Sequence, residues 1–285
     1  MRKFFTSFAS PKMVSALHRI SRQSASTQMF DEVIPYELDD LAPEFRSTFK
    51  DKLSEDIRGF GYWSWKAQVV QQTLAKMNDG DQLLYADAGC HINSYGKQRL
   101  QEYFDMLSDE RPFVIFQQDP DDSVFGETNP KISNWPNKNW IKGDLIDHFG
   151  IRDRDDILSQ QTYYATTFLL QKNDTTVKFV NDWLELIKTN WKFIDDSPSV
   201  APDLPSFIEH RHDQSIFSVQ CHFYPINVVS ACEIAYPKIK GRGGDWARLK
   251  NFPIHARRDR RDKFSSRVKG VRIDISRRLQ HLFMR

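Results

Sequence analysis

An α/β domain built on a mostly parallel central sheet is what this sequence predicts, and three observations carry that expectation. Apolar runs of strand length alternate along the chain with stretches of helical periodicity. The run LLYA at 83–86 stops abruptly at Asp87, Ala88 and Gly89. That is how a strand of an open α/β sheet delivers a carboxylate to its C-terminal edge before a glycine-permitted turn. Finally, 285 residues, 40% hydrophobic and 27% charged, suffice to bury one large core.

The elements follow in order. KFFTSFA at 3–9 reads as the first strand, with Ser10 and Pro11 as cap and start of a helix over 12–24. DEVIPYE at 31–37 gives a second strand and 43–57 a polar helix. GFGYWSWKAQVVQQTLAKM at 59–77 feeds an aromatic cluster into a helix whose Val69, Val70, Leu74 and Met77 fall at helical spacing. Asp79, Gly80 and Asp81 form a turn before the strand that ends at Asp87. A helix from about Tyr95 to Leu107 and the strand PFVIFQQ at 112–118 come next. Residues 119–140, rich in Asp, Asn, Pro and Trp without periodicity, mark a long loop of the kind that forms lids. KNWIKGDLIDHFG at 138–150 resumes a helix, and QQTYYATTFLLQKN at 160–173 alternates into a strand. A helix through WLELIKTNW ends near Trp191, and residues 195–206 form another loop. No internal repeat is present, so 1–256 reads as one domain with a first half, 1–118, and a second half, 119–256.

Composition narrows the setting. Cys90, Cys221 and Cys232 form no CxxC or Cys/His metal spacing, which predicts a reduced cytoplasmic protein without zinc. The N-terminal MRKFFTSFASPKMVSA is interrupted by Thr6, Ser7, Ser10, Pro11 and Lys12 too early for a secretory apolar region. No window approaches the roughly 18 to 20 apolar residues that span a bilayer. The net charge of +2 hides an asymmetry: residues 257–285 hold eleven Lys and Arg against three Asp, a net of +8, which leaves 2 − 8 = −6 on the first 256. Within that tail Val268, Val271, Ile275, Leu279 and Leu282 recur at helix-like spacing. This predicts a basic amphipathic helix lying on an anionic membrane surface or packed against the body, and peripheral attachment to the inner membrane follows from the first arrangement. Few aromatics are interleaved with the basic residues and no nucleic-acid-binding signature accompanies them, so nucleic acid is not an expected partner.

Three motifs in order, YWSWK at 62–66, LLYADAG at 83–89 and RHDQS at 211–215, resemble glycosyltransferases of the GT-A fold, closest to bacterial enzymes that build lipopolysaccharide and capsule glycans. The resemblance covers roughly residues 3–260. It implies a nucleotide-sugar-binding first half, an acceptor-binding second half, and transfer of a sugar from a nucleotide-sugar donor, UDP-linked, to a surface polysaccharide or lipopolysaccharide acceptor. It also implies that Phe8, Ala9 and Ser10 at the first strand end hold the nucleotide base.

A leaving nucleoside diphosphate develops negative charge, so a divalent metal, Lys and Arg, or a helix N-terminus must meet it. Oxygen ligands suit Mn²⁺ or Mg²⁺, and Asp87, flanked by Ala88 and Gly89, is the first choice. Many relatives by fold carry Asp, any residue, Asp here; Gly89 stands in the third position and leaves Asp87 without a second carboxylate. His255 in FPIHARRDRR is the implied second ligand, or Arg257, Arg258, Arg260 and Arg261 hold the diphosphate directly. A solvated basic turn fits that segment as well.

Asp213 is the candidate acid–base group, since an inverting transfer needs a carboxylate near the acceptor hydroxyl. Its position before a short apolar run equally suits an ordinary helix N-terminus. His212 and Gln214 flank it as candidates for sugar hydroxyls. Trp63 and Trp65 are two apart and cannot share one helix face, so Trp65 either meets the donor or packs in the core, with Lys66 beside it able to contact a phosphate. Cys90 and His91 are adjacent on a strand and point to opposite faces, which disfavours a thiol hydrolase. A sugar nucleotidyltransferase is an alternative, but KFFTSFASPK has no Gly for a triphosphate-gripping loop. A non-catalytic glycan- or membrane-binding protein is another.

Overall fold

The computed structural model describes residues 1–260, and the amphipathic pattern read in the tail lies, from residue 261 on, outside the described residues. In chain order the first elements are β1 (Lys3–Phe8), α1 (Val14–Thr27), β2 (Glu32–Tyr36), α2 (Pro43–Thr48), the short turn α3 (Gly59–Tyr62), α4 (Trp65–Leu74) and β3 (Gln82–Ala86). Then come β4 (His91–Ile92), α5 (Lys97–Asp105), β5 (Phe113–Gln117), α6 (Gly143–His148), α7 (Asp155–Leu158) and β6 (Tyr163–Gln171). The chain continues through α8 (Asp174–Thr189), α9 (Asp213–Cys221), β7 (Asn227–Ser230) and β8 (Ile254–His255).

Six strands form one sheet in the order β2-β1-β3-β6-β5-β7. β1 runs parallel to β2 and β3, and β7 parallel to β5, while β6 runs against both of its neighbours. The expected α/β class with a mostly parallel sheet therefore holds. Both halves of the sequence feed the one sheet.

Successive strand residues face opposite sides, and both sides are covered by helices, so the central strands read as continuous apolar runs. Phe4, Leu83 and Tyr85 join α4, α8 and α9 in one core, and Phe5, Leu84 and Ala86 join α1 and α5 in the other. β2 is an edge strand, which is why it tolerates Pro35. At the start of α8, Asn173 and Thr176 satisfy each other's backbone N–H groups in a reciprocal cap.

Two helices are shorter than the sequence suggests. The polar helix expected over 43–57 stops at Thr48, because Phe49 turns inward against Phe45 and Trp191 and residues 50–57 continue as turns. The helix expected over 138–150 begins only at Gly143. Lys142 is drawn away to the carbonyls of Asp195 and Ser197, and Asp203 caps the Gly143 N–H at 2.6 Å. The β4–β8 pair, His91 opposite His255, ties the end of the described chain back to the segment just after β3.

Candidate active site

The site is assembled where β3 ends near the middle of the sheet. The Asp87 N–H donates to the Thr166 carbonyl of β6 (2.9 Å), and the Cys90 N–H closes a turn onto the Asp87 carbonyl (2.8 Å). Tyr85, two residues earlier and therefore on the same face, donates its hydroxyl to Asp87 Oδ1 at 2.7 Å.

From the first turn of α4 comes Lys66. Its ammonium donates to Asp213 Oδ2 at 2.6 Å and to the Ala165 carbonyl at 2.9 Å, and stands 3.3 Å from Asp87 Oδ1. Two of its N–H bonds are spent on Asp213 and Ala165 and its charge lies against Asp87, so Lys66 ties the two carboxylates together. Only 3% of its side chain is exposed, against 6% for Asp213 and 26% for Asp87. Burial works to lower the Lys66 pKa, but the charges of Asp213 and Asp87 outweigh it and the ammonium is held charged. Asp213 opens α9 and is pushed up to about 6, because burial disfavours its ionised form more than Lys66 favours it. The two shifts differ in origin: two acids outweigh burial at Lys66, whereas one cation does not offset burial at Asp213.

His212 precedes Asp213 with a φ of 57°, a backbone region a non-glycine residue rarely enters without being held there. It is held. Its Nδ1 bonds the Ile194 carbonyl at 2.8 Å, and the ring lies against Tyr62 and Trp63 at 4.7 and 5.8 Å. Burial lowers its pKa, which keeps the imidazole neutral.

Around this cluster opens a cleft of 1380 Å³. Asp87, Ala88 and Gly89 line it, as do Phe8, Ser10, Trp65 and Lys66, and His212, Asp213 and Gln214. The structure thus brings most of the residues singled out in the sequence to one place, although they come from four separate segments. Ala9 lies behind the cleft in the core under α1. Trp65 packs on Phe8 at 4.2 Å and donates its indole N–H to the Gly59 carbonyl, which leaves the half-buried Trp63 as the more open aromatic.

His255 does not line the cleft. It is buried beside Trp246, with Nε2 on the Leu249 carbonyl (2.8 Å) and Nδ1 facing an Arg257 guanidinium nitrogen (3.1 Å). The carbonyl fixes the proton on Nε2, so the remaining lone pair on Nδ1 is already directed at Arg257. As for a divalent cation, Asp87 and Asp213 are bridged by Lys66 and His255 by Arg257. Among the described residues no group of three or more His, Cys, Asp or Glu is placed to hold a metal ion. The donor set does not fit one.

Of two further arginines in the cleft, Arg258 is among those the sequence offers for the diphosphate, whereas Arg211 carries no role there. Arg211 lies over Trp135 and Trp140, its guanidinium carbon 4.7 and 4.5 Å from their ring centres. Arg258 sits directly on Gly89. Both line the cleft with Arg257 and Arg260. Arg211 stands in the RHDQS motif, but nothing local in the sequence shows that Trp135 will face it.

No protein-family model and no curated protein matches the sequence. Among solved structures, a glycosyltransferase involved in glycosylation of the major capsid of PBCV-1 shares 8% identity over 90% of this chain and 92% of its own, with a TM-score of 0.47. Apo mouse xyloside xylosyltransferase 1 shares 10% over 89% and 97%, with a TM-score of 0.45. The galactosyltransferase LgtC, solved with donor and acceptor sugar analogs, shares 10% over 88% and 86%, with a TM-score of 0.41. These are distant likenesses of backbone and assign no role to any residue here. No described helix is long and apolar enough to cross a membrane.

Proposed function

We propose that this chain is a glycosyltransferase that moves a sugar from a nucleotide-sugar donor, UDP-linked, to a polysaccharide or lipopolysaccharide acceptor of the cell surface. The observation that carries the reading is the Asp87–Lys66–Asp213 cluster at the carboxyl end of β3, set in a cleft that Arg211, Arg257, Arg258 and Arg260 also line. The three sequence motifs that resemble glycosyltransferases converge on that cluster.

Within this reading the donor's nucleotide lies against Phe8 and Ser10, and its diphosphate faces Arg257 and Arg258. The bond from the sugar carbon to the diphosphate oxygen breaks as the acceptor oxygen attacks that carbon. The leaving oxygen's charge is met by guanidinium groups, which form paired hydrogen bonds to phosphate. Asp87, the more open carboxylate, faces the donor sugar, and Asp213 accepts the proton released by the acceptor hydroxyl. Gln214 and His212 stand beside it for sugar hydroxyls. The basic tail would hold the protein at an anionic membrane on its cytoplasmic side, where a lipid-linked acceptor is presented.

The test is a thermal-shift screen of sugar nucleotides, followed by an assay of nucleoside diphosphate release with saccharide acceptors. A stabilising sugar nucleotide is expected, since a ligand of the folded state raises its stability by mass action. Acceptor-dependent release should then fall by about 100-fold or more in Asp87→Asn, on the scale of removing a positioned catalytic group. Binding without release at any acceptor concentration would instead mark a glycan- or nucleotide-binding protein.

A further inference from the structure

The turn after β3 is bolted to the end of the described chain in a way that accounts for Gly89. The Asp259 N–H donates to the Gly89 carbonyl at 3.0 Å. A Cβ built on Gly89 would lie 3.2 Å from the Arg258 Cα and 3.5 Å from its carbonyl carbon, so a side chain there would press on the Arg258 main chain, which would have to give by a few tenths of an ångström. The buried Arg19 fastens both sides: its guanidinium donates to the Ala88 carbonyl (2.8 Å), the Cys90 carbonyl (3.0 Å) and the Asp259 carbonyl (3.1 Å). Arg258 itself takes a φ of 54°, an uncommon left-handed backbone that this clamp holds. At this corner of the cleft a second carboxylate is replaced by a strand of chain carrying Arg257 and Arg258.

On the other side of the corner, Asp87 already has its cation. Lys66 stands between Asp87 and Asp213, hydrogen-bonded to Asp213 and ion-paired with Asp87, where two acids facing one ligand would otherwise call for a bridging ion. One of the two negative charges is thus offset inside the protein.

We infer, taking the glycosyltransferase reading as its basis, that this chain binds the diphosphate of its nucleotide donor without a divalent metal, using the Arg257–Arg258 strap clamped on Gly89, with Arg211 lining the same cleft. Lys66 serves the carboxylates and the arginines serve the phosphates. Guanidinium groups are suited to the second task because they stay charged and present paired donors matched to phosphate oxygens. Arg211 is held within cation–π reach of two indoles, which restricts its guanidinium before the ligand arrives.

Calorimetric titration of the full chain with UDP and with GDP, each in excess EDTA and again in Mn²⁺, tests this directly. The expected result is binding of one nucleotide with the same affinity in both conditions. In Arg258→Gln, whose fold is checked by thermal unfolding, that affinity should fall by about tenfold or more, the loss that goes with one charge-assisted hydrogen bond. Binding that requires Mn²⁺ would overturn the inference and leave the glycosyltransferase reading standing. Unchanged affinity in a folded Arg258→Gln would remove the strap from the site. Absence of nucleotide binding in either condition would overturn both readings.

Discussion

Lys66 is the residue on which the cluster's energetics turn. Truncating it to Met removes a donor from the Ala165 carbonyl and leaves two carboxylates without their shared cation, one of them deeply buried. Loss of one partner of a buried pair costs about 3–5 kcal/mol, mostly the penalty of the charge left behind. Lys66→Met should lower the unfolding free energy by that order in a urea titration, and adding Asp213→Asn should restore part of it. A double variant as unstable as the single one would show that the ion pair is not the source. Asp213 also sets a pH dependence. To accept a proton it must be ionised, and its carboxyl is pushed up to about 6 by burial. The value of kcat/KM should therefore decline as the pH falls below about 6, where an ordinary Asp would hold until near 4. The effect on stability has the other sign. A carboxyl raised on folding holds its proton more tightly in the native state, so its contribution is fully present below the ordinary 3.8 and is lost as the pH rises to about 6. A pH–rate profile with its acid limb near 4 would take Asp213 out of the proton-transfer role.

At the level of elements, the strap owes its position to how closely β8 and the turn before it approach the start of α5. A Cβ on Gly96 would fall 2.3 Å from the Pro253 nitrogen and 2.4 Å from the Phe252 carbonyl carbon, so backbone must move to admit it. Gly96→Ala should cost about 1–3 kcal/mol, as overpacking does, and should weaken nucleotide binding because the displaced segment leads into Arg257 and Arg258. Native affinity in this variant would mean that the strap is placed by the Gly89 and Arg19 contacts alone. How much of this the sequence reveals depends on the range of the forces involved. β1, β2, β3, β5 and β6 are legible to within a few residues because apolar runs and turn residues are local signals. Asp87, Gly89 and Asp213 are legible for the same reason, each sitting at a strand end or helix start. The reversal of β6, the short β7 and the β4–β8 pair leave no local trace, since strand partners are chosen by contacts distant in sequence. The same holds for Lys66, whose bond to Asp213 spans 147 residues and turns a candidate phosphate ligand into the tie between two acids. Helix 43–57 fails differently: polarity and periodicity continue past Thr48, but burying Phe49 against Trp191 takes precedence over propensity.

Over the whole molecule, charge is separated along the chain. Residues 261–285 carry eight Lys and Arg and two Asp, a net of +6, which leaves 2 − 6 = −4 on residues 1–260, where the cleft lies. The acidic body is repelled by an anionic membrane and the basic tail attracted to it, so the tail governs any attachment, and screening should weaken it as salt rises. The full chain should co-sediment with vesicles containing phosphatidylglycerol at low ionic strength, and not with phosphatidylcholine alone. Each basic residue near such a surface contributes about 1 kcal/mol, so Arg267→Gln, Lys269→Gln and Arg272→Gln together should weaken vesicle binding on the order of a hundredfold. Nucleotide affinity should stay unchanged, because the arginines assigned to the diphosphate are 211, 257 and 258 and none of the three is altered. Vesicle binding that ignores both salt and the triple substitution would show that apolar insertion rather than charge holds the protein. A parallel fall in nucleotide affinity would show that the tail belongs to the cleft instead of to the membrane.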